Sequence, residues 1–195
     1  MRLAPAAALL LIVSAGGARA EQTIVFLRHG EKPSGGYGQL TCQGLNRSLA
    51  LPDVLFAKYG KPTYLYAPNP AVRIPDPAGA FYYVRPLATI EPTAIRAGRP
   101  VSTKYGYTDV ASLEAALITT SKADATVFVV WEHVQLHRVV QNIINHYGGG
   151  ATVPAWISGD YDTLFVVRVD YVGGTITARF HKDREGLNSQ PTACP

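Results

Sequence analysis

Two short apolar runs constrain the fold of this chain more than any other feature. They cover residues 23–27 and 125–131, and both are rich in β-branched and aromatic residues, which is typical of buried strands. Similar strand patterns alternate with helical ones along the chain, with strands at 63–67, 101–105, 163–171 and 175–181 and helices at 41–60, 87–97, 110–120 and 134–147. This alternation predicts an α/β fold, a three-layer sandwich whose mostly parallel central sheet carries helices on both faces.

Proline, glycine and capping residues indicate where regular structure should begin and stop. The first helix should start after Thr41, be interrupted near Pro52 and end at Gly60. Five prolines fall within residues 68–86, so we expect a long irregular loop there. The Val-Gly-Gly sequence at residues 172–174 predicts a turn that joins the last two strands as an antiparallel hairpin.

The N-terminal segment resembles a secretion signal. Arg2 precedes an apolar run at residues 6–13, and Ala-Arg-Ala at residues 18–20 fits the small-x-small rule of signal peptidase. The alternative is an uncleaved membrane anchor, but the run is far shorter than the roughly 20 residues needed to cross a bilayer. The sequence predicts a signal peptide over residues 1–20, a single domain over residues 21–195, and export to the periplasm or beyond the cell.

The charge and hydropathy of the remaining chain exclude two kinds of partner. Without Arg2 and Arg19 the chain keeps 16 basic and 14 acidic side chains, with no block of like charges. We therefore expect no nucleic-acid partner. No later segment is long and apolar enough to be a transmembrane helix, so we expect no stable membrane association after cleavage.

The two cysteines are too few for a cysteine-based zinc finger or a four-cysteine iron–sulfur site. Both Cys42 and Cys194 would remain after signal cleavage, and export would place them in an oxidising compartment. A disulfide between them would fix a C-terminal tail that is otherwise rich in loop-forming residues. Two unpaired thiols are the alternative.

The chemistry-bearing residues directly follow the two best strands. Arg28 and His29 follow the first, and Glu132 and His133 follow the second. The carboxyl ends of parallel strands share one edge of a sheet, where ligands usually bind. An imidazole is a good nucleophile toward phosphorus, and guanidinium groups bind phosphoryl oxygens in pairs. Because phosphoryl transfer depends mainly on positioning and charge neutralisation, these residues predict such a reaction without a metal or other cofactor.

The ordered motifs resemble those of the histidine phosphatase superfamily, also called phosphoglycerate mutase-like. The sequence RHGE at residues 28–31 is similar to the signature of that family, and TCQG at residues 41–44 follows in the expected order. RPLATIEP at residues 85–92 is similar to the segment that carries the family's second arginine. The sequence departs from the family at Ala88 and Val134, where glutamine and glycine are common.

The resemblance implies a fold and a role for each matching residue. The fold is phosphoglycerate mutase-like, with His29 as the phosphorylated nucleophile and Arg28 as a phosphate ligand. Arg85 would be the second phosphate-binding arginine and His133 the second histidine. The implied ligand is a phosphorylated small molecule, bound without a metal.

The acid that protonates the leaving oxygen has two candidates. Glu132 qualifies if the strand has ended before it, because neighbouring residues within a strand point to opposite faces. Asp109 follows a short strand and would cap the next helix, which also places it near the sheet edge. Each also has a structural interpretation, Asp109 as a helix cap and Glu132 as the partner of a nearby arginine.

The sequence thus predicts an exported phosphomonoester hydrolase that works through a phosphohistidine. Within the same fold, the alternatives are a phosphate-ligand binding module with little catalysis and a phosphomutase. A zinc-dependent hydrolase centred on His133 and His137, which have the spacing of a helical metal pair, is the alternative from another class.

Overall fold

The computed structural model describes residues 19–195, which form a six-stranded sheet, a separate two-stranded hairpin and four α-helices. The predicted signal peptide lies outside the described residues up to position 18. The strands are β1 (Arg19–Arg28), β2 (Tyr64–Tyr66), β3 (Arg73–Asp76), β4 (Gly79–Tyr82), β5 (Val101–Ser102), β6 (Thr126–Trp131), β7 (Thr163–Val172) and β8 (Thr175–Arg184). The helices are α1 (Cys42–Tyr59), α2 (Arg85–Ala97), α3 (Val110–Leu117) and α4 (His133–Tyr147). Within residues 19–195 no helix is long and apolar enough to cross a membrane.

The main sheet has the order β5-β2-β6-β1-β7-β8. The first four of these strands run parallel, whereas β7 and β8 are antiparallel to their neighbours. Helices α1 and α2 cover one face of the sheet, and α3 and α4 cover the other. The predicted three-layer α/β sandwich with a mostly parallel sheet is therefore confirmed.

Strand β1 shows why the sheet is covered on both faces. Ile24 and Phe26 pack into the core beneath α3 and α4, whereas Val25 and Leu27 pack beneath α1 and α2. All four are fully buried. Because successive side chains of a strand point to opposite faces, a continuous apolar run is stable only between two layers of helix. Each such side chain contributes about 1.5–3 kcal/mol by leaving water.

Helix α1 is continuous through Pro52, so the predicted interruption is wrong. Proline removes one backbone hydrogen bond and usually costs about 3 kcal/mol in a helix interior. Leu51 and Leu55 are fully buried on either side of it and hold this segment against the sheet. The predicted ends are correct, because the Thr41 side chain accepts a hydrogen bond from the Gly44 N–H and the helix ends at Gly60.

The predicted irregular loop at residues 68–86 contains the hairpin β3–β4. Its strands pair from Arg73 opposite Tyr82 to Asp76 opposite Gly79. Pro75 is tolerated within β3 because a two-stranded hairpin leaves one side of each strand without a partner. Gly79 adopts a φ of 133°, which residues with a side chain rarely reach.

The C-terminal tail is held against the start of α1. Cys42, the first residue of α1, is joined to Cys194 by a disulfide, with 4.6 Å between the Cα atoms. The Asn46 side chain donates hydrogen bonds to the carbonyl oxygens of Pro191 and Ala193 at 2.8 and 2.7 Å. The start of α1 and the tail thereby form one unit beside the carboxyl end of β1.

Candidate active site

Strands β1 and β6 end side by side at one edge of the sheet. Arg28 is paired in register with Trp131, and the His29 N–H donates to the Trp131 carbonyl at 3.2 Å. The residues that follow each strand, His29 on one and His133 on the other, therefore leave the sheet at the same edge. The segment before the antiparallel strand β7, residues 157–162, returns to this edge as well.

His29 is buried, and its hydrogen bonds define which ring nitrogen carries the proton. Its Nδ1 lies 2.8 Å from the Gly30 carbonyl oxygen, which can only accept, so Nδ1 carries the hydrogen. Nε2 is then unprotonated and accepts a hydrogen bond from Arg85 Nε at 3.2 Å. Burial, together with the charges of Arg85 and Arg28, holds the pKa of His29 well below its usual value. The imidazole is therefore neutral near pH 7, and its Nε2 lone pair faces Arg85.

Two glycines and a threonine fix the backbone next to His29. A Cβ atom at Gly30 would lie 2.9 Å from the Gly44 carbonyl oxygen, and one at Gly44 would lie 2.5 Å from the Glu31 carbonyl oxygen. This close approach seats the start of α1 against the loop after β1. The Gly30 N–H also donates to Thr89 Oγ1 of α2 at 3.0 Å, which ties the loop to the helix that carries Arg85.

Arg85 begins α2 and is 2% exposed. Pro86 follows it, a residue whose fixed φ suits the first turn of a helix and explains why α2 starts two residues earlier than predicted. Arg85 Nη1 and Nη2 donate to Asp76 Oδ2 and Oδ1 at 2.7 and 3.0 Å. The guanidinium also lies over the Tyr83 ring, 4.8 Å from its centroid. The Nε side of the Arg85 guanidinium thus faces His29, and its two Nη atoms face the Asp76 carboxylate of the hairpin.

Arg28 is 3% exposed and contacts the segment before β7. Its Nη1 donates to the carbonyl oxygens of Ser158 and Asp160, the latter at 3.4 Å. The guanidinium stacks on the Tyr161 ring at 4.1 Å from the centroid. Its Nε atom is buried and has no hydrogen-bond partner within residues 19–195. A buried donor without a partner is what a site for an anionic ligand would contain.

Glu132 and His133 form the junction between β6 and α4. Since β6 ends at Trp131, Glu132 meets the condition set for it, and its Oε2 caps α4 by accepting from the Val134 and Gln135 N–H groups, each at 3.0 Å. His133 Nδ1 lies 2.6 Å from Glu132 Oε1. The two atoms are close, but the angle at Nδ1 does not meet the geometry of a hydrogen bond. Burial would raise the pKa of Glu132, but His133 and the two backbone donors hold it at about 2. Glu132 is therefore a carboxylate at neutral pH.

An open cavity of about 340 Å³ adjoins Arg85 and Glu132, whereas Arg28, His29 and His133 are not among the described residues that line it. It is lined by Lys32, Ile74, Pro75, Asp76, Arg85, Tyr107, Glu132, Val134 and Gln135. Asp109 is not among the described residues that line it, and its Oδ2 instead accepts a hydrogen bond from the Gly106 N–H at 2.8 Å. Asp109 occupies the N-cap position of α3 without a side-chain cap to that helix. Of the two predicted acids, the structure brings only Glu132 to the cavity.

Sequence reasoning missed Asp76, whose side chain is only 2% exposed. It accepts hydrogen bonds from Lys32 Nζ at 3.3 Å and from the Gly38 N–H at 2.9 Å in addition to those from Arg85. Burial would raise the pKa of Asp76, but these donors hold it at about 2. The sequence Asp-Pro-Ala-Gly at residues 76–79 is typical of a turn and was the available signal for a hairpin that presents this carboxylate.

Glu31, the last residue of RHGE, is not part of the cavity lining. Its carboxylate accepts from Nε and Nη2 of the fully buried Arg47, at 2.6–3.1 Å. Arg47 also donates to Glu185 at 2.5 Å and to Asn188 at 3.3 Å. This arginine therefore ties the loop after β1 to the segment after β8.

The residues of the predicted zinc alternative lie one turn apart in α4. His133 is the first residue of that helix, which begins one residue earlier than predicted, so it shares the helix with His137. The His137 ring, however, lies 3.1 Å from the Val153 carbonyl oxygen through Nε2. Across residues 19–195, no group of three or more histidine, cysteine or acidic side chains is placed to hold a metal ion.

The fold was compared with known proteins. No protein-family model and no curated protein matches the chain by sequence. Among solved structures, a protein described as mycobacterial hydrolase 2 matches with a TM-score of 0.55 and 13% identity, over 83% of this chain and 89% of that one. A mycobacterial glucosyl-3-phosphoglycerate phosphatase in complex with inorganic phosphate matches with a TM-score of 0.54 and 13% identity, over 82% and 95% of the two chains.

Phosphoglycerate mutase from Plasmodium falciparum is also similar, with a TM-score of 0.51 and 10% identity over 82% of this chain and 89% of that chain. At such identities the likeness bears on the architecture of the chain. It agrees with the resemblance carried by the RHGE sequence at residues 28–31. The chain therefore has a phosphoglycerate mutase-like fold.

Proposed function

We propose that this protein is an exported phosphomonoester hydrolase that forms a phosphohistidine at His29. The observation that carries the proposal is the state of that side chain, a buried neutral imidazole whose Nε2 accepts a hydrogen bond from the buried Arg85 and which also lies within the field of the buried Arg28. An unprotonated nitrogen is required for attack on phosphorus, and fixed positive charge beside it stabilises the phosphoryl group in transit.

In the proposed reaction, His29 Nε2 attacks phosphorus as the bond from phosphorus to the ester oxygen breaks. Arg28, Arg85 and His133 bind the three equatorial oxygens, and Arg28 Nε, which has no hydrogen-bond partner within residues 19–195, has a free donor for this role. The leaving oxygen takes a proton from a carboxylic acid. Water then attacks the phosphohistidine, which gives inorganic phosphate and restores the imidazole.

Two features favour hydrolysis over the alternatives within the fold. The cavity is open and about 340 Å³ in volume, which leaves room for water beside Arg85, the residue that contacts the imidazole. The similar structures include a phosphatase crystallised with inorganic phosphate, although a mutase is similar too. Export, proposed from the first twenty residues, favours a phosphatase, because sugar-phosphate substrates of a mutase belong to the cytosol.

Turnover of p-nitrophenyl phosphate by the purified, exported chain tests the proposal. The assay contains EDTA and compares wild type with His29→Ala and with His181→Ala, which removes an exposed histidine outside the site. We expect turnover in wild type and His181→Ala and none in His29→Ala, together with an acid-labile phosphoryl group on the wild-type protein. Turnover that survives His29→Ala, or that EDTA abolishes, would contradict the phosphohistidine mechanism.

The same samples separate the binding module from the enzyme and test export. A folded wild-type protein that binds inorganic phosphate but hydrolyses no ester would indicate the binding module. The mass of the protein recovered from the periplasm or medium tests cleavage after Ala20. That cleavage would remove Arg19 and Ala20 from β1, where they pair with Val172 and Tyr171 of β7.

A further inference from the structure

We propose that Asp76, on the β3–β4 hairpin, is the acid that protonates the leaving oxygen. The inference rests on the proposed phosphatase function and assigns a step which that function leaves to an unnamed carboxylic acid. Asp76 and Glu132 both line the cavity, whereas Asp109 does not. The acid is therefore either Asp76 or Glu132. The hydrogen-bond donors that surround each carboxylate differ, and this difference favours Asp76.

Glu132 is held by groups that substrate does not displace. Two of its hydrogen bonds come from the backbone N–H groups of Val134 and Gln135 at the start of α4. These donors belong to the helix and keep their direction whether or not phosphate is bound, and the positive end of the helix dipole adds to them. Glu132 therefore keeps its negative charge when substrate binds, and its contact with His133 Nδ1 suits it to orienting that ring.

Asp76 is held mainly by cationic side chains that a phosphate group also attracts. Arg85 makes two of its hydrogen bonds and Lys32 makes a third, so only the Gly38 N–H is a fixed backbone donor. A bound phosphoryl group brings negative charge beside Asp76 and shares the charge of Arg85. Both effects raise the pKa of Asp76 when the site is filled and so favour the protonated form that the proposed step requires.

The hairpin is built so that this carboxylate is held above the arginine. Gly36 and Gly38 both have positive φ, and a Cβ atom at Gly36 would lie 2.2 Å from Asp76 Cγ. The Ala78 N–H donates to the Gly35 carbonyl at 3.1 Å, and the Arg85 N–H donates to the Gly38 carbonyl at 2.9 Å. The loop after β1 thus holds both the turn of the hairpin and the start of α2, which sets the distance between acid and arginine.

The proton and the bonds balance in both halves of the reaction. Asp76 takes up a proton from the substrate monoanion or from solvent as the ester binds. In the first half the Nε2–P bond forms, the P–O bond breaks, and the proton passes from Asp76 to the leaving oxygen as the alcohol departs. In the second half, the Asp76 carboxylate accepts a proton from the attacking water while the Nε2–P bond breaks.

The test compares two esters that differ in their need for an acid. Nitrophenolate leaves without a proton, whereas the more basic phenolate of phenyl phosphate needs one. Rapid-quench measurement of the first turnover is made with Asp76→Asn, Glu132→Gln and the control Asp109→Asn. We expect Asp76→Asn to slow the first turnover of phenyl phosphate by about 10²–10³-fold and that of p-nitrophenyl phosphate by less than about tenfold.

A second readout separates an acid from a residue that only holds Arg85 in place. Inhibition by inorganic phosphate should be as strong or stronger in Asp76→Asn, because the carboxylate that competes for Arg85 has lost its charge. Equal losses on the two esters with weaker phosphate inhibition would show a positioning role and overturn the inference. A leaving-group-dependent loss in Glu132→Gln, and not in Asp76→Asn, would transfer the role to Glu132.

The outcomes also separate this inference from the proposed function. If the wild-type protein shows no His29-dependent turnover, the proposed function is wrong, and the inference that rests on it is wrong too. If turnover depends on His29 but Asp76→Asn leaves the rates on both esters unchanged, only the inference about Asp76 is wrong. If Asp76→Asn does not fold, Asp76→Glu, which keeps the charge, replaces it. We expect this variant to slow the first turnover of phenyl phosphate more than that of p-nitrophenyl phosphate, by a smaller factor than Asp76→Asn. An equal change of rate on both esters would overturn the inference.

Discussion

Two buried arginines of this protein differ in what surrounds them. Arg47 is fully buried, and its donors go to the carboxylates of Glu31 and Glu185 and to Asn188. Arg85 is almost as buried, but its partners are one carboxylate and the imidazole of His29, and it lines an open cavity. The first arrangement encloses the cation with protein anions, and the second leaves it in reach of a ligand.

The difference indicates which feature separates a structural arginine from a functional one. Burial and a carboxylate partner are common to both, so neither identifies a site. A cavity beside the guanidinium and a nucleophile on its edge are found only at Arg85. We infer that a buried ion pair can bind a phosphoryl group when a ligand has a path to its cation, as the cavity beside Arg85 provides.

Replacement of Arg85 gives the largest effect we expect. Arg85→Ala should lower kcat/KM for p-nitrophenyl phosphate by about 10³-fold, because a fixed positive charge beside the transferred phosphoryl group is lost. Arg96→Ala, at an exposed arginine of the same helix, is the matched control and should retain activity. Steady-state kinetics check the prediction, and a loss below about tenfold in Arg85→Ala would show that phosphate binds elsewhere.

Replacement of Arg47 should affect stability most. Arg47→Met leaves the Glu31 carboxylate without its cation and the buried Glu185 carboxyl group without its donor, and breaking comparable buried pairs costs about 3–5 kcal/mol. The free energy of unfolding in urea measures this loss, and the exposed Arg96→Met should show a much smaller one. If Arg47→Met unfolds like wild type but is inactive, the distinction drawn between the two arginines is wrong.

The pH dependence of stability should reveal Glu185. Burial, together with Asp162 and Glu31 nearby, raises the pKa of Glu185 to about 8 in spite of the Arg47 charge. A carboxyl group whose pKa is raised in the folded state stabilises the fold in its protonated form. That contribution is fully present below its unfolded pKa near 4.3 and is lost as the pH rises through about 8.

Melting temperatures of wild type and Glu185→Gln between pH 5 and 9 test this sign. We expect wild type to become less stable from pH 5 to about pH 8 and to level off above that, and Glu185→Gln to show a flatter profile, because glutamine does not titrate. Parallel profiles in the two proteins would place the titrating group elsewhere. Glu31→Gln serves as a second variant, since it removes one of the charges that raise the pKa of Glu185.

The sheet and the residues at its edge could be predicted from the sequence because local patterns determine them. The apolar runs of β1 and β6 indicated buried parallel strands, and the residues directly after them had to lie at one edge. The hairpin β3–β4 was missed because five prolines in residues 68–86 are typical of irregular structure. An isolated hairpin is an exception, since its strands have few neighbours and tolerate proline.

Asp76 could not be placed from sequence for a related reason. Its role depends on the hairpin folding back over Arg85 and Lys32, which are 9 and 44 residues away in the chain. No periodic pattern in the sequence indicates such a contact. The placement of Arg28 and His29, in contrast, follows from the position at which β1 ends. Glu132 was placed correctly at the edge, but its cap bonds to Val134 and Gln135, which decide its charge, appear only once α4 is in place.

The smallest expected effect is that of Asp109→Asn. This variant is the control for the carboxylates at the cavity, as Arg96→Ala is for the buried arginines. Asp109 is exposed and accepts a hydrogen bond from the Gly106 N–H, a bond that the asparagine side-chain oxygen can also accept. We expect kcat and KM for phenyl phosphate to change by less than about twofold, because no phosphoryl group in the cavity would contact it. A large, leaving-group-dependent loss in this variant would mean that the segment between β5 and α3 moves toward the cavity when substrate binds. In that case Asp109, and neither Asp76 nor Glu132, would supply the proton.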